Sequence, residues 1–277
     1  MKFISKTILI LLTAFTFVFP YSEQTISFLK RDTLTLKASL YLPDTGNNRP
    51  ALIMLHEGGF TEGSRHCFMP HGRFFTGKGY AVLSVGYRLV QQGGAYPEAL
   101  KDCIEALRWL KANAGDYGID KDRIVLIGSS AGAYLATMTA LAGGLPQDIR
   151  NGHGGFPKET LEIKGVVSSF GMYDWEQCQW KGSGFIKRNE AKAASPIHYC
   201  QHAKAEFLIL AGERDRLFNL KQAEQFTARL KELGKKASLE VKPKQDHGGI
   251  CVIDGEISRW ALPIIDEFLK RIFPSGD

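Results

Sequence analysis

The chain has 277 residues, 44% of them hydrophobic and 23% charged, which excludes a disordered, collagenous or coiled-coil protein and is enough for one large buried core. The formal net charge of +6 is spread along the sequence with no basic stripe, so it argues against nucleic-acid binding. Five cysteines without a Cys-x-x-Cys spacing form no metal signature and are too sparse for a disulfide scaffold; one bridge is expected, with Cys178–Cys200 the first choice.

Lys2 and Lys6 precede an apolar run from Thr7 to Phe19, followed by Pro20-Tyr21-Ser22-Glu23. A charged start and an apolar run too short for a comfortable membrane span read as a signal peptide over residues 1–22, cut near residue 22. The expected product is an exported protein, periplasmic or secreted, with no stable membrane span after processing. An uncleaved anchor is the competing reading.

After that segment, 25–29 and 34–42 read as two strands joined by a polar turn. Continuous apolar runs follow at 51–55, 81–85, 123–127, 165–167 and 207–210, with a shorter one at 239–241; strands covered on both faces need such runs. Helical patterns fall at 98–113, 131–141, 220–233 and 258–272. This alternation predicts an α/β fold with a mostly parallel central sheet of about eight strands, an antiparallel start and helices on both faces. Residues 23–277 are read as one domain, with insertions near 143–162 and 173–194.

Gly128-Ser129-Ser130-Ala131-Gly132 lies between the strand at 123–127 and the helix at 131–141. A Gly-x-Ser-x-Gly run in that setting turns a strand sharply into a helix and exposes the serine hydroxyl at the helix N-terminus, whose dipole favours developing negative charge. Without that setting it is a glycine-rich turn. His56-Glu57-Gly58-Gly59-Phe60 follows the strand at 51–55, where glycines leave backbone N–H groups free to approach an oxyanion. Gly58, Gly59 and Ala131 are the expected oxyanion hole, and His56 is expected to orient its loop.

A serine hydroxyl needs a base, and the base needs a carboxylate to fix its tautomer. His247, in the loop after the last expected strand, is the base chosen over His153, His198 and His202. Asp215, in the loop after 207–210, is the acid chosen over Asp246, Glu213 and Asp174. One helix and one strand fit between Asp215 and His247.

These stretches resemble the α/β-hydrolase superfamily, and within it the hormone-sensitive-lipase-like and feruloyl or acetyl-xylan-esterase-like (BD-FAE-like) carboxylesterases. Leu40-Tyr41-Leu42-Pro43, the His56 run with Gly63, Tyr87-Arg88-Leu89, Tyr96-Pro97, the Ser130 pentapeptide, Ala194-Ser195-Pro196, Gly212 to Asp215 and His247-Gly248 occur in the expected order. Two positions depart from the group. Glu57 stands where the first glycine of His-Gly-Gly-Gly is usual, which implies either backbone strain or a carboxylate at the pocket mouth. Gly86 stands where Asp or Asn commonly precedes Tyr-Arg-Leu, which implies weaker support for the oxyanion loop.

The resemblance implies a serine carboxylic ester hydrolase acting through an acyl-enzyme, with no metal and no organic cofactor. Its substrate would be a small-molecule or polysaccharide-linked ester with a short acyl, acetyl or feruloyl group, since no long N-terminal cap segment is evident. Phe60, Trp175 and Trp180, with Tyr173 and Phe185, are the candidate pocket walls, against the alternative that they pack the insertion onto the core. A serine peptidase or amidase on the same fold, or a binding protein that kept the fold without the chemistry, are the rival readings.

Overall fold

The computed structural model describes residues 21–31, 34–178, 180 and 184–274. The export segment read over 1–22 lies outside these residues up to position 20. Tyr21 and Ser22 already belong to the first strand, β1 (Tyr21–Arg31), which pairs antiparallel with β2 (Leu34–Pro43). The chain continues through β3 (Arg49–Leu55), α1 (Met69–Thr76), β4 (Ala81–Val85), α2 (Glu98–Ala112), β5 (Ile119–Ser129), α3 (Ala131–Ala140) and α4 (Gln147–Arg150). It closes with β6 (Gly165–Ser169), β7 (Glu206–Gly212), α5 (Leu220–Glu232), β8 (Ala237–Lys242) and α6 (Glu256–Ile272).

The strands form one eight-stranded sheet in the order β1-β2-β4-β3-β5-β6-β7-β8. The β1–β2 and β2–β4 pairs are antiparallel and the remaining pairs are parallel. Each apolar run now has a physical reason. In β3, Ala51, Ile53 and Leu55 face the layer of α2, α3 and α5, while Leu52 and Met54 face α1 and α6. The same alternation divides Ile124 and Leu126 from Val125 and Ile127 in β5. Period-two side chains with helices on both faces leave no solvent side, so every position must be apolar.

All eight expected strands and the four expected helices are present. The sequence reading missed α1, because Pro70 and Gly72 give Met69–Thr76 the look of a turn; Pro70 is tolerated in the first helical turn, where its missing N–H has no partner to lose. The insertion near 143–162 is tied down by His153, whose Nε2 lies 2.7 Å from Asp102 Oδ1 and whose backbone N–H donates to Glu105 at 3.1 Å.

The disulfide is a correction. Cys67 pairs with Cys251, 184 residues away, instead of Cys178 with Cys200. Cys200 keeps a buried thiol, pushed up to about 12 by burial. Sequence proximity favoured the wrong pair: α6 runs back across the sheet face that carries Phe68 and α1, and so brings Cys251 beside Cys67.

Two histidines are buried without charge. His56 and His71 are each 1% exposed, and burial lowers both to about 4. Such a group binds its proton in the unfolded chain near 6.5 and in the folded chain only near 4, so its contribution to stability is present at neutral pH and lost as pH falls through that window. At pH 5 this costs about 2 kcal/mol for each histidine relative to pH 7. Urea unfolding at pH 7 and pH 5 checks it: His71→Leu should narrow the stability gap by about 2 kcal/mol. An unchanged gap would show that His71 is not the source.

Candidate active site

Ser130 sits between the end of β5 and the start of α3 with φ 50° and ψ −112°, outside the regions that side chains ordinarily adopt. Its backbone N–H is satisfied by Ser169 O at 2.8 Å, so the strained residue is pinned to β6. The glycines that flank it are sterically required. A Cβ on Gly132 would lie 1.9 Å from the Leu55 carbonyl oxygen, and one on Gly128 would lie 2.2 Å from that of Gly132. The turn therefore closes only with hydrogen at both positions. The hydroxyl of Ser130 reaches His247 Nε2 at 2.9 Å.

His247 Nδ1 donates to Asp215 Oδ2 at 2.9 Å, which completes an unbroken line from hydroxyl to carboxylate. The Asp215 side chain is 4% exposed and that of His247 21%. The other Asp215 oxygen accepts from the N–H groups of Leu217 and Phe218 at 2.9 and 2.8 Å, so the charge is held in a fixed orientation without a cationic side chain. Asp246, its rival in sequence, faces away. Its carboxylate accepts from Arg216 Nε at 2.6 Å and from the His247 backbone N–H at 2.7 Å. The Arg216 guanidinium and these amide donors hold it well below the usual carboxylate range. Glu213 accepts from the Lys244 N–H, and Asp174 from Glu176 and Gln177.

Gly58 and Gly59 follow β3 with φ of 122° and 58°. Among the described residues, the N–H groups of Gly58, Gly59 and Ala131 donate to no protein acceptor. The loop is braced by His56, whose Nδ1 donates to Glu57 O at 2.8 Å and whose ring stacks on Tyr87 at 4.1 Å. Tyr87 in turn donates its hydroxyl to His56 O at 2.8 Å. Burial lowers His56 to about 4. The Gly86 departure is absorbed here: its N–H bonds Lys37 O at 3.0 Å, while Tyr87 braces the loop. Glu57 is not among the positive-φ residues, and its carboxylate turns inward to Ser129.

The aromatic residues divide into two sets. Phe60, Trp175, Tyr173 and Phe185 are buried, with Phe60 stacked on Phe185 at 3.6 Å. Trp180 is half-buried, lies over Gly59 and meets Phe218 edge-on at 5.6 Å. Phe218 touches His247 edge-on at 4.9 Å and was not foreseen from the sequence; an aromatic immediately before a helix N-cap residue carries no signal of its own. A cavity of about 480 Å³ shares Trp175 and Trp180 and is rimmed by Arg188, Asn189 and Lys192. Away from Ser130, Asp174, Glu176 and His198 bring donor atoms within 4.8 Å of one another, but His198 and Glu176 already bond each other at 2.9 Å.

The BD-FAE family model matches residues 39–230. The esterase LipQ of Mycobacterium tuberculosis is 26% identical over 243 residues, 82% of this chain and 56% of LipQ, so the chain spans little more than half the length of that relative. An ethyl acetate hydrolase of Pseudomonas putida is 37% identical over 123 residues, 42% of this chain and 37% of the hydrolase. The thermophilic esterase Est2 of the planctomycete Thermogutta terrifontis shares the fold with a TM-score of 0.77 at 22% identity, over 92% of this chain and 95% of Est2.

The contrast between the two carboxylates is testable. Asp215→Asn should slow fluorophosphonate labelling of Ser130 by about 10⁴-fold, because the amide favours the wrong histidine tautomer. Asp246→Asn, which loses only a solvent-facing ion pair, should slow it less than tenfold. Equal losses would mean that the roles are not divided in this way.

Proposed function

The chain belongs to the BD-FAE family of the α/β-hydrolase superfamily, and from that premise we propose that it is a serine carboxylic ester hydrolase working through an acyl-enzyme. The observation that carries the proposal is the line from Ser130 to His247 to Asp215, with both contacts at 2.9 Å. A serine hydroxyl is a weak nucleophile at neutral pH, and a base in hydrogen-bond contact removes that obstacle. His247 takes the proton as Ser130 attacks the ester carbonyl, and Asp215 stabilises the imidazolium that forms. The N–H groups of Gly58, Gly59 and Ala131 receive the oxyanion; one such donor is worth about 10²–10³ in rate elsewhere. The alcohol leaves with the proton from His247, and water then releases the acid by the same steps in reverse.

The acyl group we infer is short or aromatic. Phe60, Trp175 and Phe185 fill the space beneath the oxyanion loop, and Trp180 lies against Gly59 above it, so a long chain has little room in that direction. A flat aromatic acyl group would stack on Trp180. Acetyl or feruloyl groups on polysaccharide fit this reading, as does a small free ester.

Export supports the polysaccharide option. The Cys67–Cys251 bridge suits an oxidising compartment. The protein recovered outside the cytoplasm should begin near residues 21–23, where β1 starts, when its N-terminus is sequenced. Recovery with Met1 intact would favour an anchor instead.

The decisive assay compares p-nitrophenyl acetate, butyrate and octanoate with purified protein and with Ser130→Ala. Turnover should fall by at least about 10⁴-fold in the variant and, in the native protein, should decline from butyrate to octanoate. Equal turnover by both proteins would reduce the pentapeptide to a structural turn.

A further inference from the structure

Glu57 occupies a position where a glycine is usual, and its carboxylate does not face the cleft. Oε2 accepts from the Ser129 hydroxyl at 2.5 Å. Ser129 is fully buried, and its oxygen accepts from the Ile250 N–H at 3.1 Å. The result is a three-member chain running from the oxyanion loop, through the residue before the nucleophile, to the loop that carries His247. Gly249 completes it sterically, since a Cβ there would lie 1.7 Å from Glu57 Oε2. A residue with any side chain at 249 would push the carboxylate off Ser129. The carboxylate thus packs directly on the backbone two residues after His247.

We propose that Glu57 is a positioning residue: its carboxylate clamps the His247 loop to the oxyanion loop, and so fixes the distance between the base and the oxyanion donors. The proposal rests on the esterase reading above. The geometry explains why a hydrogen bond is needed in addition to the disulfide. Cys67–Cys251 anchors the far end of the base loop beside residues 65–68, and residues 248–250 remain between that anchor and His247. Ile250 N–H is the bond that holds them. Carboxylate-to-hydroxyl bonds are among the shorter and stronger protein hydrogen bonds, which suits a clamp with one contact on each loop.

The effect expected is on turnover and not on binding, because the Glu57 carboxylate is engaged by the buried Ser129 hydroxyl. Displacing a base by about 1 Å costs on the order of a hundredfold. With p-nitrophenyl butyrate, Glu57→Ala should lose about a hundredfold in kcat with KM within twofold, and Glu57→Gln, whose amide oxygen still accepts from Ser129, should recover most of that loss. Ser129→Ala should lose a similar factor, and the double variant no more than the larger single loss. Amide hydrogen exchange of the segment 246–252 is followed in parallel: Glu57→Ala should exchange faster there, and Glu57→Gln should not. The proposal falls if Glu57→Ala keeps kcat within twofold, if Glu57→Gln is as impaired as Glu57→Ala, or if exchange at 246–252 does not change. If native protein turns over no ester, the esterase reading falls by itself, and the exchange arm still decides whether Glu57 holds the loop.

Discussion

The reactive geometry depends on one close approach, the backbone of Gly132 against the carbonyl of Leu55. Parallel pairing sets Leu55 opposite Gly128, so the ends of β3 and β5 stop at the same height. With no side chain at 132, α3 begins in contact with the carbonyls of Leu55 and His56 at the end of β3, from which the Gly58–Gly59 loop departs. Ser130 is therefore placed by sheet pairing, and the Gly58–Gly59 loop starts from the adjacent strand end, where His56 and Tyr87 brace it. The cost is a serine in a strained conformation. The surrounding bonds, Ser130 N–H to Ser169 O on one side and the helix on the other, over-determine it.

His247 and Asp215 arrive from the opposite direction. Asp215 follows β7 and His247 follows β8, so two strands, β6 and β7, separate the end of β8 from Ser130. Reaching back requires a long connection, residues 243–255 between β8 and α6. The two aspartates beside His247 then divide by environment. Asp246 is partly exposed and pairs with the largely exposed Arg216, where water screens the pair and little energy is at stake. Asp215 is buried against His247, where the lower dielectric strengthens the interaction, and two amide N–H groups offset its desolvation. Two aspartates that both contact His247 thus sit in opposite environments because only Asp215 points into the protein.

The parts of this arrangement that were legible in the sequence are those with local causes. Doubly covered strands leave continuous apolar runs, and a helix that starts at a strand end leaves glycines on both sides of a serine. The order of Ser130, Asp215 and His247 along the chain follows from strands added one after another across the sheet. What the sequence hid depends on elements meeting across the fold. Cys67 and Cys251 are brought together by the return of α6, for which no spacing rule exists. Phe218 reaches His247 through the geometry of the β7 loop. The direction of the Glu57 side chain was open between strain and the pocket mouth, and it is settled by Ser129, a residue unremarkable in sequence because its neighbour Ser130 draws the attention.

A connection long enough to carry His247 across two strands is also long enough to wander, and each residue left unconstrained costs entropy when its contact with Ser130 forms. The fold meets this at both ends of the His247 segment. Asp215 holds the ring, and the disulfide at Cys251 holds the chain where it turns into α6. Between them the Ile250 N–H bonds the Ser129 hydroxyl, which lies next to Ser130 in the same strand end. A covalent bond fixes where the loop is, but it leaves rotation about its own axis. Directional hydrogen bonds fix how the ring is aimed. The two constraints are therefore different in kind, and neither substitutes for the other in holding an imidazole within reach of a hydroxyl.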